Sequence, residues 1–337
     1  MADPRRYRLT VAEVITETDD ARSLVFEPVP FTYRPGQFLT LRIPSDRNGS
    51  VARCYSLCSS PHTDDRMRVL VKRTGGGYAS NWLCDHIAAG STIEALAPAG
   101  VFCPRSLDGD LLFCAAGSGI TPVLSIMKSA LFVGSGRLVL IYANRDESSV
   151  VFADELRALA EAHPGRLVVV HWLESVQGLP TTAALRALAA PFAGSEVLLC
   201  GPKPFMSAAR TALAALKVPR DRIHLERFVS LGANPFERTE EPDPGDGSST
   251  VEVELDGGRH RLPWPARTRL LDLLLDSGLP APFSCREGAC GACACRLVSG
   301  EVKMLNNDVL EQEDLDEGLI LACQSLPVTD RIEISYE

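Results

Sequence analysis

Four cysteines carry the most specific chemistry in the chain. Cys285, Cys290 and Cys293 are spaced C-x4-C-x2-C, and Cys323 follows in a separate segment. This is the ligand spacing of a [2Fe–2S] cluster. Two irons need four thiolates, two on each, so one tight loop can supply three and a second segment the last. Gly288 and Gly291 allow the backbone of that loop to approach closely and to aim N–H groups at sulfur. A structural zinc ion is the competing use of four thiols, but zinc sites usually pair two short knuckles and only Cys290 and Cys293 form one. Disulfides or buried bystander thiols are the remaining option, and Cys295 reads as a bystander.

A centre that takes one electron at a time needs a source. Arg53-Cys54-Tyr55-Ser56-Leu57 places a guanidinium, suited to bidentate pairing with a pyrophosphate, near a strand end. Gly75-Gly76-Gly77-Tyr78-Ala79-Ser80 leads from a loop into a helix start, where free N–H groups and the helix dipole favour an anion. Alone, the first is compatible with a plain strand and the second with a hairpin turn. Further on, Gly117-Ser118-Gly119-Ile120-Thr121-Pro122 follows an apolar strand and opens a helix. It departs from G-x-G-x-x-G by having Pro122, which a first helical turn tolerates. Two glycines still let backbone meet pyrophosphate, although an ordinary strand–helix turn would look alike. Cys200-Gly201-Pro202 ends a later strand, where Cys200 is most simply a buried thiol.

These residues need elements to hold them. Short alternating runs at Arg8–Ile15, Ser23–Phe26, Gln37–Ile43 and Arg68–Val71 predict a small antiparallel β-barrel. Strands at Asp110–Ala115, Arg137–Tyr142, Arg166–Trp172 and Glu196–Cys200 alternate with helices at Val123–Phe132, Ala153–Ala162, Thr182–Leu188 and Pro204–Leu216. That alternation predicts an α/β doubly wound parallel sheet with its ligand at the strand C-termini. A Pro-, Gly- and acid-rich stretch over 231–249 predicts a flexible tether. A strand near Val251–Leu255, a helix at Leu270–Asp276 and a last strand at Arg331–Ser335 then predict a small α+β β-grasp domain round the cluster. The expected domains are therefore 1–104, 105–230, a linker over 231–249, and 250–337.

In this order the motifs resemble the ferredoxin–NADP reductase superfamily, followed by a segment that resembles plant-type ferredoxins. The resemblance implies that Arg53, Tyr55, Ser56 and Leu57 hold FAD, with Ser56 near flavin N5. It implies Val71, Lys72 and Arg73 on the adenosine side, and Gly77, Tyr78, Ala79 and Ser80 at phosphate. Gly117, Ser118, Gly119, Thr121, Pro122, Asn144 and Arg145 are implied for the nicotinamide dinucleotide. Gly201, Pro202, Phe205 and Phe228 are implied near nicotinamide and flavin. Ser56, Cys200 and Glu226 are the implied catalytic residues, and Cys285, Cys290, Cys293 and Cys323 the metal ligands. Longer stretches, such as Gln37–Pro44, Ala52–Pro61, Ser80–His86 and Asn307–Glu311, are similar to the reductases of 3-ketosteroid 9α-hydroxylase. That implies an electron path from NADH through FAD and [2Fe–2S] to a Rieske-type terminal oxygenase, and the steroid would bind the oxygenase. The related reductase of phenylacetyl-CoA epoxidation, which serves a di-iron oxygenase, shares the domain order. A stand-alone flavin reductase would not need the cysteine domain, and a zinc-stabilised interaction module is the non-enzyme alternative.

Composition narrows the classes. A formal charge of −9 argues against nucleic acid as partner. From Thr250 onward 16 acidic residues face 8 basic ones, a net −8. Asp308, Glu311, Glu313, Asp314, Asp316 and Glu317 form its densest cluster, readable as a solvated helix or as a docking face for a basic partner. Eleven cysteines without regular spacing outside the cluster set predict a reducing cytoplasm. The N-terminus lacks the apolar core of a signal peptide, and no apolar run reaches the ~18 residues a membrane span needs. Six histidines show no ligand spacing. Tyr142-Ala143-Asn144-Arg145-Asp146 points both ways on nucleotide choice: Arg145 suits a 2′-phosphate and Asp146 a ribose hydroxyl. NADH is the expected donor.

Overall fold

The computed structural model describes residues 6–29, 31–46, 49–237 and 248–336. They fall into two compact units. The first comprises most of the chain to Phe228, and the second comprises 229–337 with 44–52 and 99–101.

In the first unit, β1 (Arg6–Thr18), β2 (Ala21–Phe26), β3 (Phe38–Ser45), β4 (Gly49–Ser56), β5 (Arg68–Lys72) and β6 (Thr92–Leu96) form a sheet in the order β4-β3-β6-β1-β2-β5. Leu57, just past β4, bridges antiparallel to Val69 in β5 and brings the two ends of the sheet together as a barrel. Its interior is apolar, with Leu9, Leu24, Phe26, Leu39, Leu41, Ile43 and Leu57 all buried. Helix α1 (Tyr78–His86) lies between β5 and β6 in the chain.

The parallel sheet follows: β7 (Leu111–Ala116), α2 (Ile120–Val133), β8 (Leu138–Asn144), α3 (Ala153–Ala162), β9 (Leu167–Leu173), α4 (Glu174–Gln177), α5 (Thr182–Ala189), β10 (Glu196–Cys200), α6 (Lys203–Ala215) and β11 (Ile223–Glu226). The strand order is β11-β10-β7-β8-β9, and all pairs are parallel. β7 and β8 are buried along their whole length, which explains their unbroken apolar sequences. Leu and Ile residues of α2 and α3 cover one face, and α5 and α6 cover the other. The chain order reverses between β7 and β10, so their C-terminal ends form the switch point at which such sheets bind ligands.

Barrel and parallel sheet share a buried ionic cluster. Lys128 of α2 donates to Asp64 and Glu155, and Arg68 of β5 donates to Glu155. Ser60 meets Ser129, and Ser125 donates to Ser59 O.

In the second unit, β12 (Ser248–Leu255), β13 (Gly258–Pro265), α7 (Leu270–Asp276), β14 (Ala294–Ser299), β15 (Val302–Met304), α8 (Gln312–Asp316), β16 (Leu319–Leu321), β17 (Ser325–Pro327) and β18 (Arg331–Ser335) build a mixed sheet ordered β13-β12-β18-β14-β16, beside the hairpin pair β15-β17. β12 and β18 are parallel and the others antiparallel, around fully buried Trp264, Leu270 and Ile334. The expected tether differs in its first part. Leu231 and Phe236 are buried, and the Glu287 carboxylate accepts the N–H groups of Gly232 and Ala233. Two apolar anchors therefore order a stretch whose Pro, Gly and acid content suggested a free linker. Residues 238–247 lie outside the described residues. Among the described residues no helix is long and apolar enough to cross a membrane.

Candidate functional site: a flavin barrel, a nucleotide switch point and a thiol loop

Four segments carry the chemistry. The first is the end of β4. Ser56 is buried there, and Tyr55 is largely so, which raises its phenol pKa well above the ordinary value. Arg53 precedes them on the same strand. Leu57 and Val71 point into the barrel core, so only their backbones are available to a ligand.

The second is the turn into α1. Gly76 has φ +69°, and a Cβ on Gly77 would lie 2.9 Å from Thr74 Cβ. Ser80 Oγ accepts the Thr74 N–H at 3.0 Å and keeps its own proton to donate. Asn81 Nδ2 donates to Thr74 O and Gly77 O and ties the loop to its helix. No side-chain hydrogen bond caps α1 and no acid lies in its first turn, so the dipole at its N-terminus favours an anion. Tyr78 is half-exposed and Ala79 buried. Of the neighbouring cations, Lys72 lies 3.6 Å from Asp20, and Arg73 donates to Asp85 and Asn81. A pyrophosphate-bearing flavin fits this set.

The third segment is the switch point of the parallel sheet. Gly117 has φ +53° and begins a 3-10 turn that runs into α2. Helix α2 starts at Ile120, three residues earlier than expected, because Pro122 sits inside its first turn. Thr121 Oγ1 donates back to Ser118 O at 2.7 Å, and Tyr142 donates to Gly117 O at 3.0 Å. Gly119 is held against the other motif: a Cβ there would lie 2.2 Å from Cys200 O. A Cβ on Gly201 would lie 3.0 Å from both Ala116 Cβ and the Phe205 ring. The two glycine motifs thus form one backbone seam that no side chain can enter. Pro202 leads into α6 as its N-cap, Phe205 is buried, and Phe228 is exposed.

Beside the seam, Cys200 of β10 and Glu226 of β11 are partners in register. Burial pushes the Glu226 carboxyl up to about 8 and, with Glu226 adding to it, raises the Cys200 thiol well above its usual range. At the end of β8, Asn144 is buried beside Tyr142, and its amide makes no well-formed hydrogen bond among the described residues. Arg145 pairs with Asp20.

The fourth segment is the thiol loop. Cys285, Cys293 and Cys323 are buried and Cys290 half-buried. Cys285 lies within hydrogen-bond reach of Cys290 and Cys323, and Cys323 within reach of Cys293. These thiol neighbours, together with the N–H groups of Glu287 and Ala289 3.4 Å from Cys285 Sγ, hold the Cys285 thiol far below the ordinary range. Positive φ at Arg286 (+60°), Gly288 (+84°) and Gly291 (+69°) coils the loop round the thiols. A Cβ at Gly288 would lie 2.9 Å from Asn306 O. Among the described residues no three His, Cys, Asp or Glu side chains are arranged to hold one metal ion. A two-iron cluster takes two thiolates per iron, and the converging thiols with N–H groups on sulfur fit it.

Sequence reasoning brought out the motif residues and passed over their supports. Asn81 fixes the glycine turn, and Gln324 Nε2 bridges Arg286 O (2.8 Å) and Cys323 Sγ (3.6 Å). The available signal was proximity, since each directly follows a motif residue. Asp20 carried no signal of its own.

Comparison with known proteins agrees with this geometry. Family models match an oxidoreductase FAD-binding domain over 8–103, an oxidoreductase NAD-binding domain over 113–211, and a 2Fe-2S iron-sulfur cluster binding domain over 253–328. The last sets aside the zinc alternative. The 3-ketosteroid-9-alpha-monooxygenase ferredoxin reductase component of Mycobacterium tuberculosis is 59% identical over 98% of this chain and 95% of its own. A component of the 1,2-phenylacetyl-CoA epoxidase of Escherichia coli is 34% identical over 98% of each. Among solved structures, phthalate dioxygenase reductase, described as a modular structure for electron transfer from pyridine nucleotides to [2Fe–2S], matches with TM-score 0.59 and 25% identity over 98% of each chain. The chain belongs to the family of 3-ketosteroid-9-alpha-monooxygenase ferredoxin reductase components, an oxidoreductase with FAD-, NAD- and [2Fe–2S]-binding domains in that order.

Proposed function

We propose that this chain draws electrons from NADH and delivers them to a Rieske-type oxygenase that hydroxylates a 3-ketosteroid, in the cytoplasm. The observation that carries the oxygenase assignment is identity of 59% across nearly the whole chain to the ketosteroid reductase component, against 34% to the epoxidase component. The proposed domains are 1–104, 105–230 and 250–337, joined by 231–249.

When bound, FAD takes up a hydride's two electrons and the [2Fe–2S] centre passes electrons singly. The protein's work is placement. Arg53 and the α1 N-terminus with Gly77 and Ser80 would hold the flavin pyrophosphate, with Tyr55 and Ser56 beside the flavin. The seam of Gly117, Gly119, Cys200 and Gly201 would let backbone alone line the nicotinamide dinucleotide. Glu226, with its carboxyl shifted upward by burial, lies in register beside Cys200 at the seam. Cys285, Cys290, Cys293 and Cys323 hold the cluster. For the partner, exposed Asp308, Glu313, Asp316 and Glu317 supply an acidic face, whereas Glu311 and Asp314 are engaged in capping α8. Steering by such a face raises association rates with a basic partner.

Reconstitution tests the reading. NADH, the holoprotein and a ketosteroid 9α-hydroxylase oxygenase should give hydroxylated steroid coupled to NADH consumption. Support of phenylacetyl-CoA epoxidation without steroid hydroxylation would replace it with the di-iron partner.

A further inference from the structure

We propose that Asp20 sets the nucleotide preference: its carboxylate faces Arg145 and Lys72 and closes the adenosine end of the site to a 2′-phosphate. The inference deepens the NADH reading above and rests on it.

In a doubly wound sheet the residues after the second strand meet the adenosine ribose. Here these are Arg145 and Asp146, directly after β8. An arginine at this place is the residue type that admits a 2′-phosphate. The structure shows what each side chain is doing. The Asp146 carboxylate accepts Ser149 N at 2.9 Å and the Ser148 hydroxyl at 2.8 Å, as the cap of a short turn. It is engaged locally and does not supply the acid that reads a ribose.

That charge comes from the barrel. Asp20 stands in the turn between β1 and β2, and its Oδ2 lies 3.1 Å from Arg145 Nη2. Its Oδ1 accepts the Thr18 hydroxyl at 2.8 Å and lies 3.6 Å from Lys72 Nζ. Its backbone carbonyl accepts the Arg73 N–H at 2.7 Å, which fixes the turn against β5. One carboxylate thus faces two cations. Arg145 is 67% exposed, so the pair itself is weak. The selectivity lies in occupation: Asp20 takes up the two cations that a 2′-phosphate would need. A phosphate monoester brings nearly two negative charges and would share this space with Asp20. A ribose hydroxyl brings none and needs neither cation.

Asp20→Asn removes the charge and keeps the shape, and Asp20→Ser does the same should the amide disturb the turn. Steady-state kinetics of the holoprotein should give a ratio of kcat/KM for NADPH over NADH that rises on the order of tenfold in Asp20→Asn. Asp20→Asn/Arg145→Ala should lose most of that gain. Calorimetric titration gives a readout free of turnover. Adenosine 2′,5′-bisphosphate should tighten relative to 5′-AMP by a similar factor in Asp20→Asn, and the gain should fade as salt rises. An unchanged ratio and unchanged bisphosphate affinity, on a wild type that prefers NADH, would overturn the role of Asp20 alone. A wild-type preference for NADPH would overturn the NADH reading and the proposal with it.

Discussion

Cys200 and Glu226 stand side by side in register on parallel strands β10 and β11, and burial alone raises the Glu226 carboxyl to about 8. The folded state therefore holds a proton that the unfolded chain releases near pH 4.5. By linkage, stability falls as pH rises from about 4.5 to 8 and then levels off. Glu226→Gln abolishes this dependence. The difference in unfolding free energy between wild type and variant, measured from pH 5 to 9, should move by a few kcal/mol against the wild type as pH rises. A constant difference would show that the carboxyl is solvated.

Gly119→Ala drives a methyl group to 2.2 Å from Cys200 O. The neighbour is backbone and cannot swing away, so the seam must open. We expect a loss of about 1–3 kcal/mol in stability. KM for NADH should rise much more than it does in Ala116→Gly, a change that lies in the same segment without overpacking it. Flavin content should stay near wild type, because the barrel motif is untouched.

Cys293→Ser removes one of four converging thiols. Iron and labile sulfide should fall to a small fraction of wild type in the purified protein. NADH should still bleach the flavin band, while electron delivery to the oxygenase is lost. If both activities fell together with flavin retained, the cluster would be supporting the fold of the reductase portion.

Lys128 lies between Asp64 of the barrel and Glu155 of α3, with its side chain only 10% exposed. Lys128→Met leaves the Glu155 carboxylate with Arg68 alone and Asp64 without this partner. Removing one member of a buried pair costs about 3–5 kcal/mol, and partial exposure of the two acids places this case toward the lower end. Denaturant unfolding should show the loss. The triple variant Lys128→Met/Asp64→Asn/Glu155→Gln should recover part of it, because no uncompensated charge remains at those positions.

Strong periodicity made much of the fold legible. Helices Ala153–Ala162 and Leu270–Asp276 and strands Glu196–Cys200 and Arg331–Ser335 have the bounds the sequence predicts. β15, β16 and β17 were not legible, since three-residue strands carry no measurable period. β11 was hidden because four residues are too few to show a period and read as the tail of a motif. At the site, glycines and cysteines were visible because their spacing is itself the chemistry. Their mutual arrangement was not: nothing local says that Gly119 abuts Cys200 or that Arg145 meets Asp20. Those contacts arise from sheet order and from packing of the barrel on the parallel sheet. Leu231 and Phe236 were masked by the composition around them.

The bridge between Leu57 and Val69 also bears on self-association. A sheet left open there would present a row of free N–H and C=O groups along the strand that carries Arg53, Tyr55 and Ser56. Closure at Leu57 withdraws the backbone groups at that end of the flavin-binding strand from any second chain. Other strand edges lie at β9 and β11 of the parallel sheet and at β13 and β16 of the mixed sheet. β13 carries Arg259, His260 and Arg261 in succession, and charge along an edge discourages edge-to-edge growth. In β9, by contrast, Val168 is half-exposed on an outer strand. Charge placed at Val168 should therefore lower aggregation of newly made chains through the β9 edge.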